Sequence, residues 1–170
     1  MVALKNNMIY DLALAPNVEV EFSIGKRWSL NTEYKCPWWL NSRNSFCYQL
    51  LSGGVEVRYW LGNRNLCNRL TGYFLGIYTE GGIYDFQLER GEGSFAVSID
   101  TTSGLSCGYA RRITGHLAIE CSLGIGYLTT EYCKYTSYKG ELVRTNGGHF
   151  HFVGPTKVAV SLVWHITAGR

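Results

Sequence analysis

Charge is scarce in this chain of 170 residues: Asp, Glu, Lys and Arg make up 17%, against about 25% in an ordinary soluble domain. Proline is scarcer still, at 3 residues, while glycine reaches 20 and aromatic residues 14%. A disordered chain would be charge-rich and aromatic-poor, so this composition excludes one. Glycine and β-branched or aromatic residues occur in every segment, which excludes a helical bundle. The 16 Lys and Arg outnumber the 13 Asp and Glu by only three, too weak a field for a nucleic-acid partner. No apolar run approaches the roughly 18 residues of a membrane-spanning helix, and mean hydropathy is -0.07. By those measures alone the chain reads as soluble. No Cys-x-x-Cys pair is present to hold zinc. There is no Gly-x-Ser-x-Gly nucleophile elbow and no glycine-rich nucleotide loop. Met1-Val2-Ala3-Leu4-Lys5 leads straight into alternation, without the basic start and apolar run of a signal peptide. Either the chain is cytoplasmic or the sequence begins near a mature terminus with Met1 incidental, and the strand pattern that follows favours the second expectation.

What the chain does have is apolar side chains at period two, the signature of half-buried strands. In Val18-Glu19-Val20-Glu21-Phe22-Ser23-Ile24 four apolar side chains share one face, with two carboxylates and a hydroxyl on the other. Val158, Val160, Leu162, Trp164 and Ile166 alternate with Lys157, Ala159, Ser161, Val163 and His165, where Val163 is the apolar intruder. Turn signals divide the chain into eight expected strands, at 2–14, 18–24, 28–37, 48–61, 71–81, 95–109, 116–132 and 156–167. Apart from the second, their lengths suit the roughly 9–11 residues that a tilted strand needs to cross a bilayer. The connections alternate in kind. Those at 25–27, 62–70 and 110–115 are compact and basic; those at 37–46, 82–94 and 133–155 are long, and Pro16-Asn17 is tight. The expectation is one all-β domain over 1–170, an eight-stranded antiparallel up-and-down barrel.

Two inside-out versions of that barrel share the alternation. A soluble barrel buries its apolar faces, as in a lipocalin-like ligand-binding protein. A transmembrane barrel turns them to lipid and fills its interior with paired charges. The interior set would then comprise Lys5, Asp11, Glu19, Glu21, Glu33, Glu56, Arg58, Glu80, Asp100, Glu120 and Lys157. Aromatics at strand ends favour the second version. Trp28, Tyr59, Tyr73, Tyr109 and Trp164 lie beside the short turns, and Tyr10, Tyr34 and Tyr127 towards the long loops. Two belts of amphipathic rings are what both interfaces of a bilayer select. Small residues on the polar face, among them Gly54, Gly76, Gly104, Gly108, Gly124 and Gly126, relieve crowding inside a barrel this narrow.

Several stretches also resemble a known family. Leu4-Lys5-Asn6-Asn7-Met8-Ile9-Tyr10-Asp11, Ala15-Pro16-Asn17-Val18-Glu19-Val20-Glu21 and Gly25-Lys26-Arg27-Trp28-Ser29-Leu30 open the chain. Pro37-Trp38, Val57-Arg58-Tyr59-Trp60, Gly72-Tyr73-Phe74-Leu75-Gly76 and Gly124-Ile125-Gly126-Tyr127 follow, and Gly154-Pro155-Thr156-Lys157 closes the pattern. Together they resemble an uncharacterised Bacteroidota outer-membrane β-barrel family, a domain of unknown function expected to form OmpA-like eight-stranded barrels. The likeness spans almost the whole chain. It implies a bacterial outer-membrane location and architecture, and no activity. The tail, Thr167-Ala168-Gly169-Arg170, departs from the pattern by not stopping on an aromatic residue.

Candidate chemistry is thin. Of six cysteines, Cys36 and Cys47 bracket the loop holding Pro37-Trp38-Trp39 and form a candidate disulfide, worth about 3 kcal/mol on the loop-entropy estimate. Cys107 and Cys121 fall on the apolar face, where free thiols act as small apolar groups. His149-Phe150-His151 puts two imidazoles on one face, without the acidic or thiol third ligand a metal would want. His116 and His165 are expected to bond interior carboxylates. Carboxylate pairs such as Glu19 and Glu21 have interior Lys and Arg to meet, which explains them better than acid–base chemistry. Trp38, Trp39, Phe46, Phe150 and Phe152 are loop aromatics of the type that anchors interfaces. The reading is an outer-membrane barrel without a pore, no enzyme, no cofactor and no metal. It would have a structural or interaction role in a larger assembly, with outer-membrane lipids and other outer-membrane proteins as partners. The alternative is the soluble lipocalin-like barrel.

Overall fold

Alternation builds the wall. The computed structural model describes residues 1–41, 46–62, 69–89, 92–138 and 141–166, with side chains for 1–37, 49–62, 69–84, 101–131 and 147–166. Nine strands form one antiparallel sheet: β1 Val2–Asn7, β2 Asn17–Ile24, β3 Trp28–Lys35, β4 Trp38–Asn41, β5 Phe46–Trp60, β6 Gly72–Glu89, β7 Glu92–Arg112, β8 Leu117–Tyr138 and β9 Glu141–Ile166. Each strand of the wall pairs with its chain neighbour, β3 pairs directly with β5, and β1 pairs with β9. Eight strands thus close an all-β antiparallel barrel, and β4 adds a short rung to the extended start of β5.

Three expectations change. The strand expected over 2–14 ends at Asn7 and continues as a single-turn helix, α1, over Met8–Leu12. Asn7 causes the switch, because its side-chain oxygen accepts from the Ile9 N–H at 3.1 Å and caps the turn. The segment expected as a loop over 37–46 contains β4. The segments over 82–94 and 133–155 are mostly strand as well, since β6 reaches Glu89, β8 reaches Tyr138 and β9 starts at Glu141. Glycine pairs that look like turn signals sit within the ladder instead. Gly81 and Gly82 precede a register shift between Gly82 and Tyr84, and Gly147 and Gly148 pair with Cys133 and Tyr132. Bulges absorb the mismatch and let the pairing run on.

The result is lopsided. At the short-turn end all eight strands close the ring. At the other end β5 to β9 run on past the points where β1 and β3 stop.

The interior is filled by side chains in layers. An apolar plug of Ala3, Trp60, Leu70, Phe74, Ala110, Ala118 and Val163 closes the short-turn end, with Met1 against it. Trp60 and Phe74 share parity with Arg58 and Gly76, so the plug sits on what reads as the polar face. Trp60 keeps its one donor satisfied, its Nε1–H reaching Ser29 Oγ at 2.7 Å. The outer wall is apolar: Ile77, Leu105 and Ile125 are each 66% exposed at mid-height.

Candidate interior charge network and mouth cavity

Above the apolar plug, parity drives charged side chains from facing strands into one narrow space, and they pair. Lys5 Nζ lies 2.5 Å from Glu21 Oε2 and 2.6 Å from Glu120 Oε2. Arg58 bridges Glu120 at 2.8 Å, Glu56 at 2.8 Å and Glu21 at 3.3 Å. Its guanidinium stacks over the Phe74 ring at 4.3 Å, which seats it on the plug. Lys157 carries the network upward, 3.0 Å from both Glu56 and Glu33. Lys35 then joins Glu33 at 3.3 Å to Glu80 at 2.5 Å. The ion pairs run without a break from Lys5 to Glu80. Except at Glu80, these groups are buried, where an unpaired charge would be costly. Hydroxyls from the wall add donors, Ser29 to Glu21 and Ser106 to Glu56.

Not every expected member joins. Glu19 is buried but takes its bond from the Asn31 carboxamide, at 2.9 Å, and forms no ion pair among the described residues. Asp11 sits exposed on α1, where it accepts from Asn17 at 3.1 Å, because the helix carries it out of the strand parity. The side chain of Asp100 lies outside the described residues. His165 is buried, but neither ring nitrogen has a hydrogen-bond partner. The carboxylates beside it, Glu21 and Glu120, are already held by Lys5 and Arg58. His116 is exposed in the turn, and its carbonyl accepts from the His165 N–H at 2.7 Å.

Tyr78 was not singled out by sequence pattern, although it joins this interior. It is buried; Lys157 Nζ lies 5.2 Å from its ring centroid, and its hydroxyl bonds Thr156. The glycines at 104, 124 and 126 leave room for its ring. The available signal was parity: an aromatic between Gly76 and Glu80, on the face shared with Glu56 and Arg58.

The outer aromatics fall at the two ends of the wall. Near the short turns Trp28 packs edge-on to Tyr59 at 5.0 Å, and Tyr73 lies 4.6 Å from Tyr109. Trp28, Tyr73, Tyr109 and Trp164 are exposed. Arg27, in the turn, donates to the Tyr59 hydroxyl at 3.4 Å. Towards the opposite end Tyr34 and Tyr127 are exposed. Tyr10 is not in that belt. On α1 it turns over the barrel mouth, with Lys35 Nζ 4.5 Å from its ring centroid. Burial raises its phenol above the ordinary value, against the opposing pull of Lys35.

At the mouth, a cavity of about 340 Å³ opens above Glu80, lined by Tyr10, Ser52, Thr102, Phe152 and Thr156 among others. Its carboxylate is already engaged by Lys35 and by Ser52 at 3.1 Å, so the cavity presents hydroxyls and rings more than free charge. His149 pairs with Glu131 at 3.2 Å, and His151 bonds and stacks on Tyr127. Among the described residues no group of three side chains could hold a metal. Cys36 is free, as are Cys107 and Cys121, which face outward in an apolar groove of the wall. The side chains of Cys47, Trp38, Trp39 and Phe46 lie outside the described residues. Phe150 is half-exposed above the rim and Phe152 lines the cavity.

No curated protein and no solved structure matches the chain. A family profile described as Protein of unknown function (DUF3575) matches residues 1–166. The closed, charge-filled barrel described above is therefore the architecture of one member of that family: the chain belongs to DUF3575.

Proposed function

We propose that this chain is an integral barrel of a bacterial outer membrane, without a pore, acting as a structural or interaction component of a larger assembly. One observation carries the reading: the charges are inside and paired, while the large apolar side chains are outside. Ile77, Leu105 and Ile125 at 66% exposure form a band that water would penalise and lipid would not. The aromatic rings at both ends of that band sit where bilayer interfaces select them. A soluble lipocalin-like barrel needs the inverse arrangement, an apolar lumen under a polar wall, and the described lumen is lined by ion pairs. The continuous network and the apolar plug leave no reason to expect conduction, so the work falls to the rim and the outer wall.

Detergent withdrawal tests the location. The purified barrel should stay monodisperse in micelles, aggregate on dilution below the critical micelle concentration, and insert into phospholipid vesicles with protease-resistant strands. A monomer that persists in plain buffer overturns the membrane reading. Absence of ion conductance in planar bilayers is the matching expectation for the closed lumen, and a steady single-channel current would refute it.

A further inference from the structure

We infer that the edge of β9 at residues 149–155 is a docking strand for an extended peptide segment of a partner protein. The edge arises from the lopsided barrel. β8 pairs with β9 along its length, whereas β1 covers only residues 161–166 on the other side. At Asn7 the chain turns away into α1, and the Asn7 side chain takes the place of one more rung. Its Nδ2 donates to the Val158 carbonyl at 3.4 Å and its Oδ1 accepts from the Val160 N–H at 3.3 Å. Beyond that carboxamide, no strand among the described residues lies on this side of 149–155.

Folded proteins guard such edges with lysine, proline, bulges or very short strands. Here the lower end is guarded, by Pro155 and by a register shift beside it. The stretch His149-Phe150-His151-Phe152-Val153 above it has no lysine, proline or glycine, and is rich in side chains that favour strands. It is also presented: Phe150 is 49% and Val153 73% exposed. The two histidines are held by Glu131 and Tyr127 of β8, which fixes the strand from its paired side.

The chemistry of the edge selects its occupant. Alternate residues offer an N–H and a C=O at strand spacing, which an extended peptide matches rung by rung and a lipid chain or sugar does not. Phe150 and Phe152, two residues apart on one face, call for aromatic or aliphatic residues at alternate guest positions. A second copy pairing β9 to β9 about a two-fold axis would run antiparallel and point its barrel the opposite way, which one bilayer does not allow. The edge left open among the described residues is present whichever medium surrounds the wall; only the exclusion of a second copy rests on the membrane reading proposed above.

The test uses the full chain, isotope-labelled, in detergent micelles, with the acetylated and amidated peptide Thr-Phe-Thr-Val-Thr-Phe as probe. Residue-resolved amide exchange should be fast at alternate positions of 149–155 in the free protein and slow saturably with added peptide. A version with proline at the third and fifth positions should lose the effect. Phe150→Lys and Val153→Lys should each weaken peptide binding about tenfold or more, since an edge lysine opposes strand addition, with gel heat-modifiability unchanged. Three results overturn the inference. One is slow exchange at 149–155 in the free protein, equal to that at 161–166. Another is equal binding of the proline peptide. The third is efficient cross-linking of Val153→Cys between copies, which would assign the edge to a second copy.

Discussion

Arg58 is the side chain on which the lumen converges. It faces three carboxylates, Glu21, Glu56 and Glu120, and stacks on Phe74. Arg58→Leu keeps the apolar contact and strands the carboxylates, so it should destabilise by about 3–5 kcal/mol, the cost of breaking a buried pair from one side. Urea unfolding of the barrel in detergent reads that loss directly, and an unchanged midpoint would remove the network from the account of stability. Gly104 is a residue-scale constraint of a different kind. A Cβ there would clash with the Ile125 carbonyl and meet the Gly126 Cα at 2.6 Å, both backbone, as well as the Tyr78 hydroxyl. Gly104→Ala should therefore cost about 1–3 kcal/mol through overpacking, in the same unfolding assay. Parity of the sequence already placed both residues on the polar face. The partners of Arg58 and the ring that confronts Gly104 come from other strands, and spacing along one strand carries no trace of them.

At the scale of elements, Asn7 decides where β1 stops. One carboxamide caps α1 through Ile9 and also bonds the β9 edge at Val158 and Val160. Asn7→Ala should cost about 1 kcal/mol, typical of a lost N-cap. Faster amide exchange should appear at residues 8–12 and 158–160 together; acceleration at only one of those segments would separate the two roles. The strand at 18–24 was legible almost to the residue, because its alternation is strict and its turn at 25–27 is compact. The upper halves of β6 to β9 were not legible. Above the barrel both faces of a strand carry mixed side chains, so period two fades, while backbone hydrogen bonding continues the ladder regardless. The switch into α1 was hidden for a similar reason: Met8-Ile9-Tyr10-Asp11 alternates acceptably as a strand, and only the Asn7 cap bends it away.

For the whole molecule, the decisive property is the inversion of inside and outside. Leu105, at 66% exposure on the mid-height wall, is its most direct probe. Leu105→Lys should cost about 2–4 kcal/mol of folding free energy in phospholipid vesicles if the wall meets the bilayer midplane. The same substitution on a water-exposed wall would be close to neutral, so refolding titrations into vesicles distinguish the two surroundings. The lopsided rim belongs to this scale too. Closure of all eight strands at one end removes every edge there, whereas the projecting sheet at the other end leaves β9 with one side open among the described residues.

The sequence by itself determined that the chain is one sheet with a charged and an apolar face, because side chains of a strand must point alternately to opposite sides. It determined, too, which end carries the short basic turns and the tighter aromatic belt. Only the tertiary structure decided which face is enclosed, since alternation is blind to the direction of curvature. Closure of β1 on β9 and of β3 on β5 put the charges in the lumen, and it brought Lys5 to Glu120 across 115 positions of sequence. The same closure, stopping at Asn7, set the length of strand that remains open at the rim.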